Sequence, residues 1–188
     1  MSTPLHVTMG RLAAPVDAND HIRGEWRAPV TLVEYGDYQC PYCRAAHPVV
    51  QDLLRLRARA VRVVYRHFPL TNVHPRAEPA AELAEAAGVH GQFWPTHDWL
   101  FVNQDRLGDE FVAEAIRAIG LPDSVARDIE EHRHLDRVQR DFVSGIRSGV
   151  NGTPTFFVND IRHDGGYGLA ELLAAVDSAT PASGSPRV

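Results

Sequence analysis

The two cysteines of this 188-residue chain stand three positions apart, in the sequence Cys40-Pro41-Tyr42-Cys43. An apolar run at 30–35 comes shortly before them, and a segment with helical spacing follows them. Pro41 falls at the first position of that helix, where the N–H that proline lacks has no partner in any case. A strand that leads a Cys-x-x-Cys into the first turn of a helix is typical of a dithiol that cycles to a disulfide. The pattern therefore predicts a strand that ends beside a helix N-terminus.

Composition argues against several other classes of protein. The net charge of −5 argues against nucleic acid as a partner, because phosphate binding needs a basic face. The chain contains no lysine, which excludes lysine Schiff-base chemistry. No stretch approaches the length of a membrane span, and residues 1–20 lack the basic cluster and apolar core of a secretory signal. We therefore expect a cytoplasmic chain without membrane insertion, and a monomer by default.

The first part of the chain reads as an arm followed by a strand–helix–strand unit. Residues 1–28 are punctuated by Pro, Asp and Gly and predict an arm, with one short strand at 5–9. The apolar runs at 30–35 and 61–68 predict two buried strands on either side of the helix. Such a βαβ crossover is almost always right-handed. Pro48 interrupts the helical spacing and predicts a kink.

The middle of the chain, 75–149, reads as helix throughout and is followed by a return of strand signals. The predicted helices lie near 76–88, 92–103, 109–119, 123–132 and 134–148. Short strands are expected at 155–158 and 161–163, separated by a tight hairpin turn. A last helix at 169–178 and a disordered Pro/Ser/Gly-rich tail at 179–188 complete the prediction.

A βαβ half, a hairpin and a closing helix resemble the thioredoxin architecture, and the helical block between the halves resembles the DsbA branch of that superfamily. The motifs that carry the resemblance are Glu34, Cys40-Pro41-Tyr42-Cys43, Arg66-His67-Phe68-Pro69-Leu70 and Gly152-Thr153-Pro154-Thr155-Phe156-Phe157-Val158-Asn159. The chain is most similar to the single-domain bacterial members that also occur as a C-terminal extension of sodium/proton antiporters. The resemblance implies an α/β thioredoxin fold. Its thioredoxin-like domain would comprise 29–74 and 150–178, with 75–149 as an all-helical insertion.

The position of Cys40 at a helix N-terminus predicts that it is the nucleophile, because unpaired N–H groups there stabilise a thiolate. The thiolate attacks a substrate disulfide and forms a mixed disulfide. Cys43, one turn deeper, is the expected resolving thiol. The intervening Pro41-Tyr42 resembles the pair of glutaredoxins, whose potentials are about −200 to −230 mV against about −120 mV for DsbA. This pair predicts a couple less oxidising than DsbA.

The resemblance also assigns roles to three residues outside the dithiol. It implies a cis bond between Thr153 and Pro154 packed against the dithiol, with Thr153 pairing with a substrate backbone. An ordinary trans proline at a strand start is the alternative. The resemblance further implies that Glu34 is a buried acid that takes the proton of Cys43, with a pKa raised by burial. A carboxylate that faces water or pairs with an arginine is the alternative for Glu34.

Several neighbours of the dithiol are candidates for substrate or metal contact. Tyr38 and Gln39 border it, and Pro41 and Tyr42 lie within it, so we expect these residues to touch substrate. A Cys-Cys-His metal site completed by His47 is a weaker alternative, because a proline inside the motif favours redox chemistry. No metal or cofactor is expected beyond the dithiol itself. The other histidines singled out share no ligand spacing and are expected to be solvated or hydrogen-bonded; they are His67, His74, His90, His97, His132, His134 and His163.

Taken together, the motifs predict a protein-disulfide oxidoreductase. Its partners would be protein or small-molecule disulfides and a recycling thiol reductant or oxidant. A glutathione-dependent, glutaredoxin-like reductase is an alternative prompted by the Pro-Tyr pair. A redox-sensing module that binds a partner protein is another, prompted by the antiporter resemblance, and a purely structural thioredoxin-like domain is the least favoured.

Overall fold

The fold is described from a computed structural model, which describes residues 10–181. The strand predicted at 5–9 and residues 182–188 of the predicted tail lie outside that range. The elements within it are β1 (His21–Gly24), β2 (Val30–Gly36), α1 (Pro41–Leu56), β3 (Val61–His67), α2 (Ala77–Val89), α3 (Phe93–Val102), a 3-10 turn (Gln104–Arg106), α4 (Phe111–Ile119), α5 (Ser124–Glu130), α6 (Leu135–Arg147), β4 (Thr155–Val158), β5 (Ile161–His163) and α7 (Leu169–Ala179). Each predicted helix of the middle block starts and ends within two residues of its predicted bounds.

The five strands of the described range form one sheet in the order β1-β3-β2-β4-β5. Strands β2 and β3 are parallel, as the crossover through α1 requires, and the other neighbours are antiparallel. Every residue of the central strand β2 is buried, which explains its nearly continuous apolar sequence. Helix α1 runs through Pro48 without ending there. The kink expected at that proline stays a prediction.

Strand β1 lies within residues 1–28, which were predicted to form an arm, and the sequence analysis did not predict this strand. The strand pairs antiparallel with β3 and forms one edge of the sheet. At the other edge, Arg11 bridges to Ile161 of β5. The segment is also tied down by Arg66, whose guanidinium donates to both carboxylate oxygens of buried Asp20 at 2.8 and 2.9 Å. Burial alone would raise the pKa of Asp20, but the hydrogen bonds and charge of Arg66 lower it. Residues 10–24 are therefore part of the folded body.

Alternate residues of β2 point into two different cores, because side chains alternate across a strand. One core lies beneath α1 and α7 and contains Val30, Leu32, Ala46, Val50, Leu53, Val61, Val63, Phe156, Leu172 and Val176. The other lies beneath α6 and contains Val33, Tyr35, Val64, Phe68, Val150 and Phe157. Glu34 follows Val30 and Leu32 at the same parity. It therefore faces α1, close to the helix end that carries the cysteines.

The helices between β3 and β4 form a third core that includes the dithiol region. Helix α2 is alanine-rich and buried along nearly its whole length, so its neighbours surround it. Phe93, Leu100 and Phe101 of α3 pack into the same cluster as Tyr38 and Cys43. The inserted helices therefore cover the end of the sheet where the dithiol lies. No helix within residues 10–181 has the length and apolar character needed to cross a membrane.

Candidate active site

The cysteine pair sits where strand β2 turns into helix α1. Cys40 is the N-cap residue in an extended conformation, and Pro41 is the first helical residue, as expected. The Cys40 Sγ lies 3.3 Å from the carbonyl oxygen of Thr153. Both cysteines are free thiols in the structure; Cys40 is 3% exposed and Cys43 is fully buried. Of the two sulfurs, the Cys40 sulfur is therefore the one closer to solvent.

The environment of Cys40 favours its thiolate. A hydrogen bond from the Cys43 thiol lowers the pKa of Cys40 from 9.0 to about 5, against the opposing effect of burial. The backbone N–H groups of Cys43 and Tyr42 add to this effect, because they point out of the first turn of α1. Cys40 is therefore ionised at neutral pH.

The environment of Cys43 has the opposite effect. Burial raises the pKa of Cys43 well above 9.0, and the hydrogen bond that it gives to Cys40 adds to the increase. Its sulfur accepts a hydrogen bond from the backbone N–H of Asp37 at 3.4 Å. At neutral pH the pair thus consists of one thiolate and one thiol.

The peptide bond between Thr153 and Pro154 is cis, which confirms the expectation and removes the trans alternative. Strand β4 begins directly after it, at Thr155. The Oγ1 of Thr153 is buried and has no hydrogen-bond partner among residues 10–181. The geometry brings the Thr153 carbonyl group to Cys40, and the pairing of Thr153 with a substrate backbone stays a prediction.

Glu34 is 3% exposed, and its Oε1 has no hydrogen-bond partner within the described part of the chain. Burial, followed by the negative charge of Cys40, raises the pKa of Glu34 to about 8. The alternative of a water-facing carboxylate is therefore wrong. Glu34 also takes part in none of the ion pairs found between residues 10 and 181. The carboxyl group can exchange a proton near neutral pH, within the electrostatic range of both cysteines.

Asp37 organises the turn before the dithiol, a role that the sequence reading missed. Its Oδ1 accepts the backbone N–H groups of Gln39 at 2.7 Å and Cys40 at 3.1 Å. Its Oδ2 accepts the N–H of Leu70 at 2.8 Å and lies 2.8 Å from His74 Nδ1. An aspartate at the start of a turn commonly bonds the N–H two residues on, and that was the available signal. Asp37 therefore fixes Cys40 relative to the segment after β3.

Tyr38 does not line the surface around the dithiol, contrary to our expectation. It is 1% exposed, and its hydroxyl lies 3.0 Å from His97 Nδ1 of helix α3. The helical insertion covers the ring, which the local sequence could not indicate. The insertion also supplies Gln104, whose Nε2 donates to the carbonyl oxygens of Tyr38 at 2.8 Å and Cys40 at 3.0 Å. Tyr38 is therefore unavailable to substrate and instead anchors the turn.

The other expected substrate contacts fall into two groups. Pro41 and Tyr42 are exposed, with 63% of Tyr42 accessible next to Cys40. The side chain of Gln39 is tied to the fold, since its Oε1 accepts the backbone N–H of Arg76 at 2.7 Å. Tyr42 is therefore the large apolar surface residue within the motif.

His47 does not point to the sulfurs. Its Nε2 lies 2.9 Å from the amide nitrogen of Gln51 and 3.4 Å from Asp98 Oδ1. Among residues 10–181, the clusters with metal-ligand geometry are His47–His97–Asp98 and His67–Glu85–Asp141, and neither includes a cysteine. The Cys-Cys-His alternative is therefore not the arrangement that the fold produces.

The sequence and the fold both have known relatives. The sequence profile of a family described as Thioredoxin matches residues 17–178. The chain is 46% identical over 170 residues to the Na⁺/H⁺ antiporter NhaA 3 of Salinispora tropica, a match that covers 89% of this chain and 26% of the antiporter. The chain thus spans about a quarter of the length of that curated relative.

Two solved structures place the fold. A thioredoxin-like oxidoreductase from Silicibacter pomeroyi is 32% identical, with a TM-score of 0.78 over 87% of this chain and 93% of that chain. The α-DsbA1 of Wolbachia pipientis is 22% identical, with a TM-score of 0.75 over 88% of this chain and 92% of that one. These likenesses confirm the thioredoxin-like fold with a helical insertion, and the antiporter match confirms the resemblance expected from the sequence.

Proposed function

This chain belongs to the thioredoxin family and is a DsbA-like thiol–disulfide oxidoreductase with the Cys-x-x-Cys pair Cys40 and Cys43, and from that premise we propose that it exchanges disulfides with protein substrates through a mixed disulfide on Cys40. The proposal rests on the difference in pKa between the two thiols. Cys40 has a pKa of about 5, and the pKa of Cys43 lies well above 9.0. A thiolate and a protonated neighbour are the reactants that a two-step exchange requires.

The first step joins substrate to enzyme. The Cys40 thiolate attacks one sulfur of a substrate disulfide, the S–S bond breaks, and the other substrate sulfur leaves as a thiolate that takes a proton from water. Tyr42 offers exposed apolar surface two residues after Cys40, the Thr153 carbonyl oxygen lies 3.3 Å from the Cys40 sulfur, and Pro154 follows Thr153 through the cis bond. We assign substrate contact to these residues and to Pro41.

The second step releases the product. The Cys43 thiol gives its proton to the Glu34 carboxylate, and the resulting thiolate attacks the Cys40 sulfur. The mixed disulfide breaks, the Cys40–Cys43 disulfide forms, and the second substrate thiolate leaves. The substrate has gained two electrons and the dithiol has lost two. The reverse sequence oxidises a substrate dithiol, so the recycling partner sets the direction.

The test compares Cys43→Ser with Cys40→Ser on a protein that contains an accessible disulfide. The Cys43→Ser variant should accumulate a covalent adduct of enzyme and substrate that mass spectrometry detects and excess thiol removes. Cys40→Ser should form no adduct and show no turnover. Adduct formation by Cys40→Ser at the wild-type rate would refute the assignment of the nucleophile.

The same variants separate the alternatives. If the Cys43→Ser variant still removes glutathione from a glutathionylated protein, the glutaredoxin-like alternative is favoured. That chemistry needs only the first cysteine and free glutathione. The partner-binding alternative predicts that the region of an NhaA antiporter outside the part similar to this chain binds the reduced and the oxidised chain with different affinities. Rapid turnover on unrelated protein disulfides would count against that reading.

A further inference from the structure

A small cavity lies on the side of Glu34 that faces helix α1 and helix α3. Its volume is about 10 Å³ for the centre of a water molecule, which is close to the space that one buried water needs. Its polar lining consists of Arg23, Glu34, His47, Gln51, Tyr65 and His97. Two buried oxygens in this lining, Glu34 Oε1 and Tyr65 Oη, have no hydrogen-bond partner among residues 10–181. One water molecule there would have two to four polar partners, as buried waters usually do.

His47 connects this cavity to the surface. It follows Cys43 by four residues on the same face of α1, and the residue is 8% exposed. Its Nε2 lies beside the amide of Gln51, which is exposed, and beside Asp98, whose side chain is 35% exposed. The imidazole therefore borders the cavity of Glu34, and its Nε2 lies beside polar groups that reach solvent.

The other polar groups of the cavity are less suited to move a proton. Arg23 donates to both oxygens of Asp98 at 2.9 and 2.8 Å, and a guanidinium does not lose its proton in proteins. His97 is held by Tyr38, and burial keeps its pKa well below 6.5. Burial also lowers the pKa of His47, with Asp98 opposing and Arg23 adding to that effect. His47 is thus a neutral base at neutral pH that borders the cavity and contacts polar groups exposed to solvent.

We propose that His47 is the residue through which the proton of Glu34 reaches solvent, by way of one water molecule in the cavity. The proposal rests on the proposed function, in which Glu34 takes the proton of Cys43. Before Glu34 can accept the Cys43 proton, and again after the disulfide forms, a protonated Glu34 carboxyl passes its proton to the water and the water passes one to His47. The imidazolium then releases a proton to solvent beside Gln51 and Asp98. No electrons move in these steps, and the carboxylate and the neutral imidazole are regenerated.

The role has a distinct pH signature. Burial and the charge of Cys40 raise the pKa of Glu34 to about 8 in the reduced protein, and burial, the larger effect, remains in the mixed disulfide. Well below pH 8, Glu34 carboxyl groups that are protonated must lose their proton before they can accept the one from Cys43. Above that pH the carboxylate is already present, so a single turnover does not need the exit route. Loss of His47 should therefore slow the second chemical step at low pH and leave it unchanged at high pH. A merely structural role would slow the step by the same factor at every pH.

The experiment is a single-turnover measurement on the full chain with a mixed disulfide formed on Cys40. His47→Gln removes the titrating group and keeps an oxygen that can accept from Gln51, and His90→Gln, at an exposed position, is the matched control. His47→Gln should form the mixed disulfide at the wild-type rate. It should resolve it at least about tenfold more slowly at about pH 6.5 and at the wild-type rate at about pH 9. His47→Ala should recover part of the lost rate on addition of free imidazole.

Two results would overturn the proposal. One is a wild-type rate of resolution in His47→Gln at both pH values. The other is an equal slowing at both pH values without rescue of His47→Ala by imidazole. Failure of the unmodified chain to form any mixed disulfide would overturn the proposed function itself, and that result appears in the first phase of the same measurement.

Discussion

The low pKa of Cys40 predicts that this thiol contributes increasing stability to the reduced protein as the pH rises from 5 to 9, whereas the raised pKa of Glu34 acts in the opposite direction up to about pH 8. The thiol has a pKa of about 5 in the folded chain and 9.0 as an ordinary cysteine, so the unfolded chain binds more protons between these values. The contribution of Cys40 to stability therefore rises with pH in this window and is lost as the pH falls through 5. At pH 7 the two units above the folded pKa correspond to about 2.7 kcal/mol.

The assay is urea unfolding of the reduced protein, in excess reductant, at about pH 5 and pH 7. Other groups also titrate in this range, so the comparison is with Cys40→Ser, which keeps the remaining charges. The wild-type chain should gain about 2 kcal/mol more than the variant between the two pH values, since a small part of the effect is already present at pH 5. Parallel pH dependence in the two proteins would refute the argument that the fold stabilises this thiolate.

The same free energy affects the redox potential. Stabilising the reduced form by about 2.7 kcal/mol raises the potential of a two-electron couple by about 60 mV. The pKa of Cys40, about 5, lies between the values of about 7 for thioredoxin and about 3.5 for DsbA. Both points support the intermediate potential expected from Pro41-Tyr42. A titration in glutathione buffers that gave about −270 mV or −120 mV would contradict it.

Three substitutions, and a fourth that serves as a control, test the framework around the site. Gly36→Ala places a Cβ 2.5 Å from a tyrosine ring on β3 and should lower the free energy of unfolding by about 1–3 kcal/mol in urea titrations. Arg66→Leu leaves Asp20 buried without its partner and should lower the free energy of unfolding by about 3–5 kcal/mol in the same measurement. The control, Arg55→Ala, removes an exposed ion pair and should lower it by less than about 1 kcal/mol. Gln104→Ala removes two hydrogen bonds to the turn before the dithiol and should cost about 1–3 kcal/mol, with slower mixed-disulfide formation in stopped-flow assays.

Local sequence signals were sufficient for most of the fold. The proline after Cys40, the apolar run of β2 and the helical spacing of the middle block each act over a few residues, and each predicted the element that forms there. Strand β1 was missed because Ile22 is its single strongly apolar residue. Its position depends on pairing with β3, more than 35 residues away in the chain.

The chemistry of the site could be predicted from the sequence. The contacts that hold the site in place were harder to predict. The cysteines, Glu34 and Pro154 belong to short motifs and lie where the resemblance placed them. Tyr38 was misjudged because a tyrosine next to a redox motif gives no local sign of whether it is covered. Its environment is determined by α3, about 60 residues further along the chain.

The hydrogen bonds from the inserted helices to the dithiol turn limit how this protein can be shortened. A chain that joined β3 directly to β4 would keep the strands and both cysteines. It would also leave the phenol of Tyr38 in water and remove the amide that Gln104 gives to the turn carbonyls. Excision of the insertion would therefore yield a sheet with a poorly held redox loop rather than a minimal thioredoxin. The dithiol turn and the inserted helices therefore form one structural unit in this chain.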